Sequence, residues 1–147
     1  MNQPRQLCTF YLHELLFGVE VEKVQEVIRY QEMTRIPLSP AVIAGLINLR
    51  GQIVTAIDLR HQLDLPARGD DQLPMNVVIR RDDGPISLLV DEIGDVVEVE
   101  EQSFEDAPDT LHAQGRKFIH GVYKLKEQLL LLLDTDKTMT ILGERPV

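Results

Sequence analysis

The sequence predicts a mainly β protein made of two small barrels packed on one another. Hydrophobic residues fill 44% of its 147 positions while aromatics fill 5%, with no Trp, so the core is aliphatic and its Val and Ile runs favour strands. The apolar runs are short and are broken by Gly, Pro, Asp and polar pairs, which is the spacing of hairpins. The pattern is also written twice. Residues 21–28 (VEKVQEVI) overlay residues 90–97 (VDEIGDVV) with apolar on apolar throughout and Glu26 on Asp95. Residues 45–58 (GLINLRGQIVTAID) overlay residues 121–134 (GVYKLKEQLLLLLD), with the glycine, leucine, glutamine and closing aspartate in register. Short strands in units of this size suggest barrels. A unit of under about 70 residues is too small to be comfortable alone. The expected organisation is therefore one domain made of subdomain 1 (about 13–66) and subdomain 2 (about 75–134), packed together and completed by the terminal segments.

In chain order, residues 7–12 and 15–21 read as two strands with His13 and Glu14 at the bend. Residues 22–30 read as a short turn followed by a strand. Two prolines make residues 33–40 a connecting loop, and residues 41–44 are expected as a helical turn. The hairpin of residues 45–60 follows: Leu46, Ile47 and Leu49, then Ile53, Val54, Ala56 and Ile57, are apolar enough to be core. Between them lie Asn48, Arg50, Gly51 and Gln52. Burying Arg50 unpaired would be costly, so its head is expected outward. Residues 66–74 (PARGDDQLP) read as a linker. Beyond it, residues 75–80 and 86–90 are strands about a turn at 82–85. Residues 98–117 are expected to be solvated loop with one helical turn near 109–112. The leucine run 129–133 lacks polar alternation, as a strand buried on both faces does. Asp134 is expected to cap a C-terminal helix that stops at Gly143.

Composition excludes several functions. Fifteen Lys and Arg against 24 Asp and Glu give a net charge of −9, which repels phosphate backbones, so nucleic acid is not an expected partner. No segment has the length or purity of a membrane span, and the N-terminus lacks a secretion signal. With Cys8 alone there is no internal disulfide, which fits a cytoplasmic protein. His13, His61, His112 and His120 show no metal-ligand spacing, and no nucleophile elbow, phosphate loop or dinucleotide fingerprint is present. No cofactor is expected. Asp58 and Asp134 recur with the fold and read as strand-ending caps rather than catalytic acids. The two copies differ at one informative place: Asn48 and Arg50-Gly51 become Lys124 and Lys126-Glu127. The fold does not need that tip, so something particular to the first copy is expected to use it.

The stretches VQEVI (24–28), TRIP (34–37), IAGLINLRGQIV (43–54) and IDLR (57–60) resemble the CheW family of chemotaxis coupling proteins, and the likeness extends over most of the chain. The resemblance implies two interlocked SH3-like five-stranded barrels. It further implies a non-enzymatic adaptor that couples chemoreceptor cytoplasmic tips to the regulatory domain of the CheA histidine kinase. Such a protein would sit in the cytoplasm at inner-membrane receptor arrays, held there by its partners without inserting into the membrane. By position, Val24, Glu26, Gly45, Arg50 and Gly51 match family positions linked to kinase or receptor binding, and Val96 one linked to receptor contact. Thr55 and Ser87 depart from the family's frequent proline and glycine. The alternative reading is a β-barrel module that binds a small molecule or peptide.

Overall fold

A computed structural model describes residues 4–106 and 113–143. Among them run β1 (Arg5–Leu12), β2 (Leu15–Glu20), β3 (Val24–Ile28), β4 (Ile43–Leu49), β5 (Gln52–Asp58), β6 (Met75–Ile79) and β7 (Ile86–Val90). After these come β8 (Glu92–Val99), β9 (Phe104–Glu105), β10 (Ile119–Lys124) and β11 (Leu129–Leu133). Three helices, α1 (Leu59–Gln62), α2 (Ala113–Arg116) and α3 (Thr135–Gly143), follow strands or precede them. The expected turn near 109–112 and His112 lie outside the described residues.

The strands form two sheets, ordered β8-β1-β2-β11-β10-β9 and β3-β6-β7-β5-β4. The repeat relates them strand for strand: β3 matches β8, β4 matches β10, β5 matches β11, and the hairpin β1–β2 matches β6–β7. Each copy gives its hairpin to the other copy's sheet. Neither sheet is therefore a single stretch of chain. The reason is local. Only the 3₁₀ turn Val21–Lys23 separates β2 from β3, and only Asp91 separates β7 from β8, so the chain passes directly from one sheet to the other. The given hairpins are held by parallel pairing, Phe17 opposite Leu131 in one sheet and Ile86 opposite Thr55 in the other.

Apolar side chains fill three cores. One lies between the sheets and takes Phe10, Phe17, Leu131 and Leu133 from the first and Ile57, Ile79, Ile86 and Leu88 from the second. Each barrel also has its own: Leu7, Leu16, Tyr123, Leu130 and Leu132 in the first, Ile47, Leu49, Val54, Val78 and Leu89 in the second. The leucine run explains itself here. Leu131 and Leu133 enter the shared core while Leu130 and Leu132 enter the barrel, so alternation is used on both faces. Each fully buried leucine stabilises by about 1.5–3 kcal/mol relative to exposure. Asn76 and Ser87 are buried polar residues on neighbouring strands. The Ser87 hydroxyl donates to Asn76 Oδ1 at 2.7 Å and the Asn76 amide donates to the Arg29 carbonyl at 3.1 Å, which removes the penalty of burying them.

The caps fall where the repeat placed them. Asp58 accepts from the Arg60 N–H at 3.1 Å at the start of α1, and Asp134 accepts from the Lys137 N–H at 3.1 Å at the start of α3. Three expectations change. Residues 41–44 are not a helical turn: Ile43 already pairs with Ile57 in β4, and its N–H closes a turn onto the Pro40 carbonyl at 3.0 Å. Residues 98–117 are not all solvated loop, because β9 pairs with β10 through Phe104 and Glu105. Ile53 is not core. It stands opposite Asn48 at the outer end of the hairpin and is 61% exposed, since the shared core reaches only as far along that face as Ile57.

Candidate docking surface at the first hairpin tip

β4 and β5 pair in register up to Leu49 opposite Gln52, which leaves a two-residue turn. Its residues, Arg50 at φ 51° and Gly51 at φ 89°, both adopt positive φ, the arrangement that matches the twist of two paired strands. Glycine accepts this conformation without strain; arginine does so rarely. The Asn48 side chain steadies the bend by accepting the Gly51 N–H at 2.8 Å. A side chain on Gly51 would meet nothing within 4 Å, so its requirement is conformational rather than spatial.

The turn presents the Arg50 guanidinium to the Glu26 carboxylate on β3, with a hydrogen bond from Nη2 to Oε2. Because β3 and β4 lie at opposite edges of their sheet, this pair bridges the seam where the sheet curls into a barrel. The Arg50 side chain remains 69% exposed and that of Glu26 22% exposed. The Arg50 hydrogen bond holds the Glu26 carboxyl below its ordinary range, and the carboxylate in turn holds the guanidinium above its own. Arg50 is thus outward, as expected, but fixed in direction.

Gly45 sits on the same hairpin and serves its closure. β4 is bulged between Ile43 and Gly45, and Thr34 crosses there, exchanging two 2.8 Å hydrogen bonds with Leu46. A Cβ on Gly45 would stand 2.8 Å from the Thr34 carbonyl oxygen. Gly121 occupies the same bulge in β10, under Glu105 of β9. Val24 begins β3, half-buried against the shared core, beside Glu26. Val96 lies on β8 of the other sheet, 59% exposed, where the repeat matches it to Val27, 38% exposed. The structure therefore joins Glu26, Arg50 and Gly51 into one feature, sets Val24 and Gly45 beside or beneath it, and leaves Val96 on a different sheet.

Two features were not foreseen. Ile53 adds an exposed apolar side chain next to the tip, and the signal was its cross-strand pairing with polar Asn48. The second is a clamp around Asp91. Its carboxylate accepts Arg60 Nε at 3.0 Å, Arg68 Nε at 2.9 Å and the His13 N–H at 2.7 Å, while Arg60 Nη1 donates to the Pro66 carbonyl at 2.7 Å. Burial pushes the Asp91 carboxyl up, but the hydrogen bonds from Arg60, His13 and Arg68 outweigh it and the group stays below its ordinary value. The segment read as a linker is thereby tied to both sheets. An arginine directly after the Asp58-Leu59 cap was the one hint.

A small two-sheet protein with exchanged hairpins and an ion-paired polar tip is a distinctive combination, and residues 6–142 match the family model of the CheW-like domain. The chain belongs to the CheW-like family. It is 31% identical over 140 residues to Chemotaxis protein CheW of Treponema pallidum, covering 92% of this chain and 82% of that one. Over 134 residues it is 28% identical to the Bacillus subtilis protein of the same name, covering 91% and 86%. The solved structure of the scaffolding protein TtCheW from Thermoanaerobacter tengcongensis superposes with a TM-score of 0.78 at 28% identity, covering 89% of each chain. These relatives are named as chemotaxis proteins and the solved one as a scaffolding protein, and this chain shares its fold. Among the described residues no helix is long and apolar enough to cross a membrane, and no three His, Cys, Asp or Glu side chains are grouped to hold a metal ion.

Proposed function

We propose that this chain is a non-enzymatic adaptor that couples the cytoplasmic tips of chemoreceptors to the regulatory domain of a CheA-type histidine kinase, at membrane arrays it reaches only through those partners. The observation that carries this reading is the Arg50–Glu26 pair. A charged head oriented by an ion pair yet largely exposed, with Ile53 and Val27 uncovered nearby, has the polar and apolar mix of a docking patch. In this reading Glu26, Arg50, Gly51 and Val24 form one contact around the tip, and Val96 on the other sheet belongs to a second. Gly45 acts by shaping the hairpin. Interfaces of standard size bury about 800 Å² per partner, which two sheets of this size can supply on separate faces.

Calorimetric titration with a receptor-tip fragment and, separately, with a kinase regulatory domain tests it. Arg50→Ala is expected to weaken one of the two by about tenfold or more and Val96→Asp to weaken a contact that Arg50→Ala leaves intact. No measurable affinity of the parent chain for either partner would remove the adaptor reading, and unchanged affinity for both in both variants would remove Arg50 and Val96 from the contacts.

A further inference from the structure

Among the described residues four that are not glycine adopt positive φ, and three of them, His13, Arg50 and Asp64, are polar. The fourth is Leu38, at φ 63°. It follows Pro37 in a turn closed by the Ser39 N–H on the Ile36 carbonyl at 3.4 Å, and the Ser39 hydroxyl donates to the same carbonyl at 2.9 Å. A proline followed by a left-handed residue makes this a type II turn, whose third position suits glycine or asparagine. Leu38 is also fully exposed and joins none of the three cores. A strained backbone and an apolar side chain held in water are both unfavourable, and an asparagine would relieve both. Beside the turn, at the base of the β4–β5 hairpin, lies a cleft of about 540 Å³. Met33, Ile36 and Ala44, each half-buried, give it an apolar wall, and Arg35 and Asp58 stand on its rim. Arg35 is exposed and has no ion-pair partner among the described residues, while the half-buried Asp58 uses Oδ1 to cap α1.

We propose that this patch docks on a second copy of the chain about a twofold axis, each Leu38 entering the cleft of the other copy. A twofold contact needs one surface that carries both halves of the fit, and this patch does. Its apolar knob and its apolar wall are neighbours on one loop, and the uncommitted Arg35 guanidinium finds its opposite charge in the Asp58 carboxylate of the facing copy. The left-handed turn explains why the knob stands out: it aims Leu38 away from its own cleft and towards a neighbour. One loop and one cleft are small against the about 800 Å² per partner of stable complexes, so the contact is weak and reversible. Because each copy gives the same patch, assembly closes at two. Ile43 and Ile57 pair at this end of the hairpin, and Arg50 is at the other, so the contact leaves the Arg50 tip uncovered.

Sedimentation of the full chain at concentrations up to about 2 mM tests the proposal, with a reversible dimer of Kd about 1 mM or tighter and no larger species expected. Leu38→Asn is expected to raise the melting temperature, because asparagine accepts positive φ, and to weaken the dimer at least about tenfold. Arg35→Glu is expected to weaken it too, with the melting temperature unchanged. On dilution of the isotope-labelled chain, amide shifts are expected to move in residues 30–44 and to stay fixed in β8 and β10. A monomer throughout, growth beyond two copies, dilution shifts that lie elsewhere, or a Leu38→Asn chain that associates like the parent would each overturn the proposal. So would a Leu38→Asn chain that melts below the parent, since Leu38 would then be serving the fold.

Discussion

The two hairpin tips occupy the same place in the two copies and solve the same geometric problem differently. At the first, Leu49 pairs with Gln52 around Arg50 and Gly51, both at positive φ. At the second, the Leu125 N–H donates to the Gln128 carbonyl at 2.9 Å around Lys126 and Glu127, and neither of these needs positive φ. The basic groups also go elsewhere: Arg50 reaches across the barrel seam to β3, while Lys124 pairs with Glu105 of the neighbouring β9 at 3.1 Å. A reversal at this point is a demand of the fold. Arg-Gly in left-handed conformation, an asparagine bracing it and a guanidinium aimed at Glu26 are not, since the second copy folds without them. That contrast separates what the fold requires from what is particular to one tip, the part proposed above as a docking surface.

The comparison breaks most sharply at the glycines that the copies share. Gly45→Val and Gly121→Val each drive a Cβ into backbone, Thr34 in one and Glu105 in the other, and each is expected to cost about 3 kcal/mol or more in urea unfolding. If Gly45→Val kept its stability and lost only partner binding, Gly45 would belong to the docking surface and not to the barrel. Next is the clamp, which only one crossover has. Asp91→Asn leaves Arg60 and Arg68 without their carboxylate and is expected to cost about 3 kcal/mol, whereas Glu22→Gln at the other crossover, exposed, is expected to cost almost nothing. The pH dependence follows from the sign of the shift. The folded pKa of Asp91 lies below its unfolded value, so its contribution is full above the unfolded value, about 3.9, and is lost as pH falls through the lower folded one. Urea curves taken downward from pH 6 should show the parent losing its advantage over Asp91→Asn in that acid range.

A smaller effect comes from transplanting the tip. Replacing Asn48-Leu-Arg-Gly by Lys-Leu-Lys-Glu is expected to cost about 1 kcal/mol, mainly for a side chain at the φ of Gly51, while removing the partner binding proposed for Arg50. Retained binding would show that the second tip is equivalent after all. The smallest change in stability is expected for Ile53→Ser, within about 0.5 kcal/mol because the side chain is already exposed, with partner affinity falling in the same titration. An unfolding cost well above that would return Ile53 to the core.

Much of this was legible without coordinates, for identifiable reasons. Strand positions followed from alternation and punctuation, and the aspartate caps from their recurrence. The tip stood out because the copies diverge there. Other features depend on partners far away in the chain. Glu26 and Arg50 are 24 residues apart and Arg60 and Asp91 are 31 apart, and no local pattern announces which distant charge a side chain will meet. Ile53 was misplaced because an apolar residue in a strand reads as buried until the extent of the opposing sheet is known.

The sequence by itself determined the kind and order of most of the elements, because hydrophobic period, turn residues and repetition act over a few neighbouring positions. The tertiary structure alone decided which sheet each hairpin joins and which charges meet at the seam. It also decided that one barrel buries a leucine where its counterpart buries a glutamate paired with Arg5 and Lys23. Those outcomes follow from how two small sheets close over a common core, a property of the whole chain that no short stretch carries.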